Sequence, residues 1–174
     1  MRLLLQRVSR ARVDIADETV GQIGLGLLVL AGFGKGDGPE LPGGKTWRAL
    51  CEKLLDVRIF PDADGKLNLS LRDTAARAQE GGQKNGQEAG LLLVSQFTLY
   101  ADTRRGRRPS FTDAAPPEVA LALYNNLVAD LGAACAKDGL RFATGRFGAE
   151  MHLAFTNWGP VTILLDSRDF ESAG

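Results

Sequence analysis

The sequence predicts an α+β fold, with a mixed, largely antiparallel sheet and two main helices packed on it. Three observations lead there. Apolar runs of strand length recur along the chain at irregular intervals. Only two stretches, one from Lys45 and one from Pro116, repeat apolar residues at helical spacing. No GxGxxG follows the first strand and no GxxxxGK[ST] occurs anywhere, so nucleotide-binding α/β folds have no support. A chain of 174 residues fits one domain, spanning 1–174, and is long enough to bury a core.

Residues 2–15 read as a long strand, with Val13 and Ile15 in β-branched alternation and a bulge expected near Ser9. Residues 19–23 make a short second strand. Residues 27–31, Leu-Leu-Val-Leu-Ala between glycines, have the pattern of a strand covered on both faces. Residues 34–44 are rich in glycine and proline and read as a loop. In the first helix Trp47, Leu50, Cys51, Leu54 and Leu55 share one face, with Arg48, Glu52 and Lys53 on the other. Residues 57–60 form a short strand closed by Pro61 and an Asp64-Gly65 turn, and 67–71 an edge segment. Residues 79–90 hold no apolar residue larger than alanine and read as a flexible surface insertion.

Residues 91–100 are a second strongly apolar strand, interrupted by Ser95, Gln96 and Thr98. A basic loop follows at 101–111. The clearest helix then opens at Pro116-Pro117-Glu118. Ala120, Leu123, Tyr124, Leu127, Val128, Leu131 and Cys135 share its face, and Lys137 and Gly139 suit its end. Residues 140–144, 151–156 and 161–166 finish the chain as strands, with Gly159-Pro160 as a corner between the last two. The tail from 167 to 174 is expected to fray.

Composition narrows the function. Lys and Arg number 21, as do Asp and Glu, so a polyanion site must be a local patch and not a global field. Cys51 and Cys135 fall in helical patterns and read as small buried hydrophobes, which points to a reducing cytoplasm. No run has the length of a membrane span or signal peptide. His152 is the only histidine, and its strand position sets it opposite Met151, Leu153 and Phe155. A zinc site and a Ser-His-Asp triad therefore lack ligands and a base, and there is no GxSxG elbow. That directs any catalysis to backbone groups or to the substrate.

Three stretches could carry it. Ser95–Thr98 is either a strand end satisfying local backbone or a row of N–H donors forming an oxyanion hole; Thr98 as a nucleophile lacks a visible base. Arg104, Arg105, Arg107 and Arg108 lie within five positions, as a solvated loop or as a patch for a phosphate backbone, with Phe111 able to stack on a base. Gly159-Pro160 is either a β-turn or a corner presenting bare carbonyls.

Taken together these residues resemble a family. Arg7-Val8, Val94-Ser95-Gln96-Phe97-Thr98-Leu99-Tyr100-Ala101-Asp102, Gly106-Arg107-Arg108-Pro109-Ser110-Phe111, Gly145-Arg146-Phe147-Gly148-Ala149 and Asn157-Trp158-Gly159-Pro160-Val161-Thr162 occur in the order found in D-aminoacyl-tRNA deacylases, the D-tyrosyl-tRNA deacylase family. The resemblance spans residues 1–166. Its departures are the 79–90 insertion, Trp158 at a variable motif position, and Glu150 and Phe155 beside Met151. The resemblance implies a barrel-like homodimer that hydrolyses the ester of D-aminoacyl-tRNA, and of glycyl-tRNA, without metal or cofactor and away from membranes. It implies a cis Gly159–Pro160 bond that reaches into the facing subunit, where the two carbonyls hold the substrate amino group and an L side chain clashes. Arg7 would hold that motif, and Asn157 and Met151 would line the substrate site with it. Ser95, Gln96, Phe97 and Thr98 would surround the ester and the terminal adenosine, whose 2′-hydroxyl helps to activate water. Arg104, Arg105, Arg107 and Arg108 are the expected tRNA contacts. The alternatives are a related deacylase with a trans bond acting on mischarged L-alanyl-tRNA, and a nucleic-acid-binding module without catalysis.

Overall fold

In the computed structural model, which describes residues 1–80 and 88–171, the chain forms eight strands and four helices. The strands are β1 (Arg2–Ile15), β2 (Glu18–Ile23), β3 (Gly26–Gly32), β4 (Phe60–Pro61), β5 (Leu67–Leu69), β6 (Gly90–Ser95), β7 (Arg141–Thr144) and β8 (His152–Asp166). The helices are α1 (Lys45–Asp56), α2 (Leu71–Glu80), α3 (Pro117–Lys137) and the single turn α4 (Arg168–Glu171). The main sheet runs β2-β1-β3-β6-β7, with β8 on β1. β1 pairs antiparallel with β2, β3 and β8, whereas β6 is parallel to β3 and β7. The mixed sheet expected from the irregular alternation is present.

The sheet curls until its ends approach. The Arg141 Nε on β7 donates to the Gln22 carbonyl on β2 at 2.9 Å. A Cβ on Gly21 would stand 2.7 Å from the Thr144 carbonyl oxygen, so only glycine permits this approach. Inside the near-closed barrel lie Val8, Ala11, Val13, Ile23, Leu28, Leu92 and Val94. The larger core lies between the outer sheet face and the helices, around Leu3, Leu5, Trp47, Leu91, Leu127 and Leu131.

Strand β1 serves both cores. Leu3, Leu5 and Arg7 face one, while Val8, Ala11 and Val13 face the other. Strict alternation would put Ala11 and Val13 with Leu3, so one extra residue is needed. The pairing with β8 slips between Val8 and Arg10, which makes Ser9 the bulge. β3 is covered on both faces, as its apolar run predicts.

Four expectations change. Residues 97–100 are a 3-10 turn and not strand: β6 ends at Ser95, and Leu99 N and Ala101 N donate back to the Gln96 and Thr98 carbonyls at 3.3 and 3.0 Å. Residues 71–80 are helical, so the expected 79–90 loop starts later; residues 81–87 lie outside the described residues. Ser70 and Asp73 cap this helix reciprocally, Ser70 N to Asp73 Oδ2 at 2.9 Å and Asp73 N to Ser70 Oγ at 3.1 Å. The tail is anchored as far as α4, since Ser167 is buried and its N–H donates to the Met1 carbonyl at 2.9 Å. Finally, α3 is long and apolar enough in composition to cross a membrane, but its stripe is buried on the sheet and its Tyr124 hydroxyl donates to the Leu93 carbonyl at 2.9 Å.

Candidate functional site

Gly159-Pro160 is not a turn between two strands. β8 is one continuous strand, and the corner is a swelling within it. Along β1, Gln6 pairs with Thr162 and Val8 with Asn157. Two steps on β1 therefore face five on β8, and three residues are looped out. The Gly159–Pro160 bond is cis, and Gly159 has φ 139°, open to glycine but strained for an L side chain.

Two side chains hold this swelling. Asn157 spans its base: its Oδ1 accepts from Val161 N at 2.8 Å and its Nδ2 donates to Thr162 Oγ1 at 3.1 Å. Arg7 comes from the core side of β1 and is only 6% exposed. Its Nε donates to the Trp158 carbonyl at 2.7 Å, and its Nη1 donates to the Ile59 carbonyl. Its guanidinium carbon lies 4.4 Å from the centre of the Trp158 ring. Burial pushes the Arg7 pKa down from its ordinary value. A Cβ on Gly159 would come within 2.9 Å of Arg7 Nη2. The corner thus presents Trp158, Gly159 and Pro160 to solvent on a backbone fixed from behind.

Elsewhere, a cavity of about 590 Å³ opens between the end of β6, the start of α3 and the segment before β8. Ser95, Gln96, Phe97, Phe111, Phe147 and Met151 are among the residues that line it. Phe97 is 57% exposed and meets Phe111 edge-on, with ring centres 5.0 Å apart. Aromatic and thioether surface with few polar groups suits a flat heterocycle or an apolar side chain.

The 3-10 turn at 97–100 forms the polar end of this site. Gln96 N donates to the Ala31 carbonyl at 2.7 Å, which ends β6 in register with β3. The Phe97 and Thr98 N–H groups then open the turn, where no intrahelical acceptor exists. Gln96 Nε2 donates to Thr98 Oγ1. Arg2 braces the far end of the turn: its Nη1 donates to the Leu99 carbonyl at 2.7 Å and its guanidinium covers the Tyr100 ring at 4.5 Å. Asp166 fixes Arg2 through Nε at 2.9 Å and is itself held by Arg168.

Ser95, Gln96, Phe97 and Met151 are thus brought together at the cavity, with Thr98 joined through Gln96. Gly159, Pro160, Asn157 and Arg7 form a separate cluster and do not line that cavity. The arginine loop is a short hairpin closed by mutual backbone bonds of Asp102 and Ser110, both 2.8 Å. Asp102 binds Arg104 through both carboxylate oxygens, at 2.8 and 2.7 Å, which holds its carboxyl well below the usual range. Arg105, Arg107 and Arg108 are exposed. Phe111 carries this loop onto the cavity.

The sequence reading missed Phe33, Ala114 and Ala115 as cavity lining. Their signal was weak, since a short apolar or alanine pair in a loop resembles any buried filler. His152 is exposed at the start of β8, opposite Asp14. Burial raises both thiols to about 12, so Cys51 and Cys135 are protonated and unreactive near neutrality. Cys135 is buried as expected, whereas Cys51 is half-buried. Among the described residues no cluster of His, Cys, Asp or Glu could hold a metal.

Two solved structures share this architecture. A c-Myc DNA unwinding element binding protein superposes with TM-score 0.76 at 33% identity, over 95% of this chain and 98% of that one. A eukaryotic protein described as a probable D-amino acid tRNA deacylase superposes with TM-score 0.72 over 94% and 97%; at 21% identity it speaks for the fold alone. The fold is that of the tRNA deacylases. The model of the D-Tyr-tRNA(Tyr) deacylase family matches residues 4–166, and the chain belongs to that family. Similar relatives include the D-aminoacyl-tRNA deacylase of Solidesulfovibrio magneticus, 56% identical over 99% of both chains. That of Nitratidesulfovibrio vulgaris is 53% identical over 97% of this chain and 94% of its own.

Proposed function

We propose that this chain is a cytoplasmic, homodimeric esterase that hydrolyses D-aminoacyl-tRNA to tRNA and a free D-amino acid. The observation that carries the reading is the match along nearly the whole chain to relatives named for that reaction. The site geometry supports it. An aminoacyl ester is already activated, so positioning and oxyanion stabilisation do most of the work. The Phe97 and Thr98 N–H groups supply the oxyanion donors, and the aromatic cavity takes the terminal adenine. The substrate's 2′-hydroxyl assists the attacking water, which fits a site without a histidine.

The separation of corner and cavity within one chain motivates the dimer. In our reading, Gly159-Pro160 of one subunit closes the cavity of the other. Its carbonyls receive the substrate amino group, and the main-chain wall rejects an L side chain while admitting D residues and glycine. In this reading Arg7 and Asn157 hold the corner from behind, and Met151 lines the cavity that receives the substrate.

Purified protein given D-Tyr-tRNA and L-Tyr-tRNA tests the reading. Release from the D ester alone is expected; equal release from both, or from neither, sinks the filter. L-alanyl-tRNA on a wrong tRNA is the third substrate to include, because the related deacylase for that ester would cleave it in preference. The printed name of the 33% identical structure favours one second reading, DNA binding without hydrolysis. That reading predicts salt-sensitive duplex binding and no ester cleavage.

A further inference from the structure

A second cavity of about 530 Å³ lies away from the site, on the outer face of β2, β1 and β8. Its walls carry Arg10 and Arg12 from β1, Gln22 from β2, and Phe155 and Thr156 from β8. Pairing explains the convergence. Arg12 sits opposite both Gln22 and Ala154, and Arg10 opposite Thr156, so these side chains share one face of the sheet. The Ser9 bulge produces this phase, turning Ala11 and Val13 inward and the arginines out.

The charges facing the groove do not cancel. The Arg10 side chain is exposed and has no hydrogen-bond or ion-pair partner among the described residues. Arg12 has Asp14 as its ion-pair partner, with Nε 3.0 Å from Oδ2. Arg141 of β7 adds a third guanidinium through its bond to the Gln22 carbonyl. Against these three stands Asp14, with exposed His152 paired opposite it. In a chain of balanced charge this is a local cationic patch. Planar guanidinium forks match phosphate oxygens.

We propose that this groove binds the phosphodiester backbone of the RNA strand that leads to the ester. On β8 the groove ends at Thr156 and the corner begins at Asn157. If the corner closes the partner's cavity, the strand leaving that cavity passes over the groove. The identity of the ligand rests on the deacylase reading; the cationic groove itself does not.

The test uses an unesterified RNA hairpin with an acceptor-type stem and an unpaired 3′ end. Binding is followed by fluorescence anisotropy over a range of salt. Wild type should bind with a steep salt dependence. The double variant Arg10→Gln with Arg12→Gln should bind about tenfold more weakly at low salt, with a log–log salt slope shallower by about 2. Arg10→Lys with Arg12→Lys should keep the slope. An unchanged slope in the Gln variant overturns the proposal. So does a Lys variant as weak as the Gln one, or a wild type that binds no RNA. Failure of the deacylase reading registers separately, as absence of ester cleavage by wild type.

Discussion

Arg7→Ala is the perturbation whose size follows most directly from the geometry. The substitution removes hydrogen bonds to the Trp158 and Ile59 carbonyls and the stacking on the Trp158 ring. A hydrogen bond from a charged donor contributes about 1.5–3 kcal/mol, and a guanidinium over an indole about 0.5–2 kcal/mol. Ile59 is only 4% exposed, so its carbonyl loses a partner that solvent does not readily replace. Water entering the vacated space returns part of the loss, and a net destabilisation of about 3 kcal/mol is expected. For a chain of this length that lowers Tm by about 6–12 °C. The activity effect is of similar size, because a corner displaced by about 1 Å costs on the order of 10² in kcat/KM, or about 2.7 kcal/mol. Thermal melting by circular dichroism and single-turnover deacylation read the two effects. Arg7→Lys keeps the charge but cannot span both carbonyls as a fork does, and should restore less than half of the stability. Trp158→Ala keeps the backbone bond, so it should cost only about 1 kcal/mol. A Tm within about 2 °C of wild type for Arg7→Ala, with kcat/KM unchanged, would refute the clamp.

Three further predictions concern other parts of the molecule. Thr98→Ala should retain measurable deacylation, because the donors are main-chain groups; complete loss with an intact fold would favour a threonine nucleophile. Arg104→Glu with Arg105→Glu should weaken tRNA binding, chiefly through Arg105, since Asp102 already neutralises Arg104; equal affinity at low salt dismisses the loop. Arg168 and Arg2 hold the Asp166 carboxyl well below the usual range, so its contribution is complete above the unfolded value of about 3.9 and lost as pH falls through the depressed folded one. Urea midpoints should therefore drop more steeply with acid in wild type than in Asp166→Asn, and parallel curves would contradict the assignment.

How much of this was legible in the sequence depends on the strength of the local signal. The Ser9 bulge could be read because apolar phase changes within a single strand. The end of β6 was signalled by Ser95 and Gln96, but a 3-10 turn has no period to reveal it in four residues. Helix α2 was missed because only Leu71 and Ala75 are buried in it, too thin a stripe to show periodicity. Its Ser70–Asp73 cap was the readable clue. At the corner, Gly-Pro content alone points to a turn. Only the pairing of Gln6 and Val8 across β8 shows that the strand continues and that three residues are ejected. Arg7 buried within an apolar strand marks the same place from the other side, since a buried charge needs carbonyls to receive it.

The central claim is that one subunit's corner completes the other's cavity, and mixed dimers test it most directly. Gly159→Ala disables the corner, where a Cβ would meet Arg7 Nη2 at 2.9 Å. Ala149→Trp fills the cavity from its own wall. Each variant alone should be inactive. Mixed in equal amounts and allowed to exchange subunits, half of the dimers carry one intact composite site, so activity should return to about a quarter of wild type. If mixing restores nothing while mixed dimers demonstrably form, corner and cavity do not work across the interface, and the account is wrong at its centre.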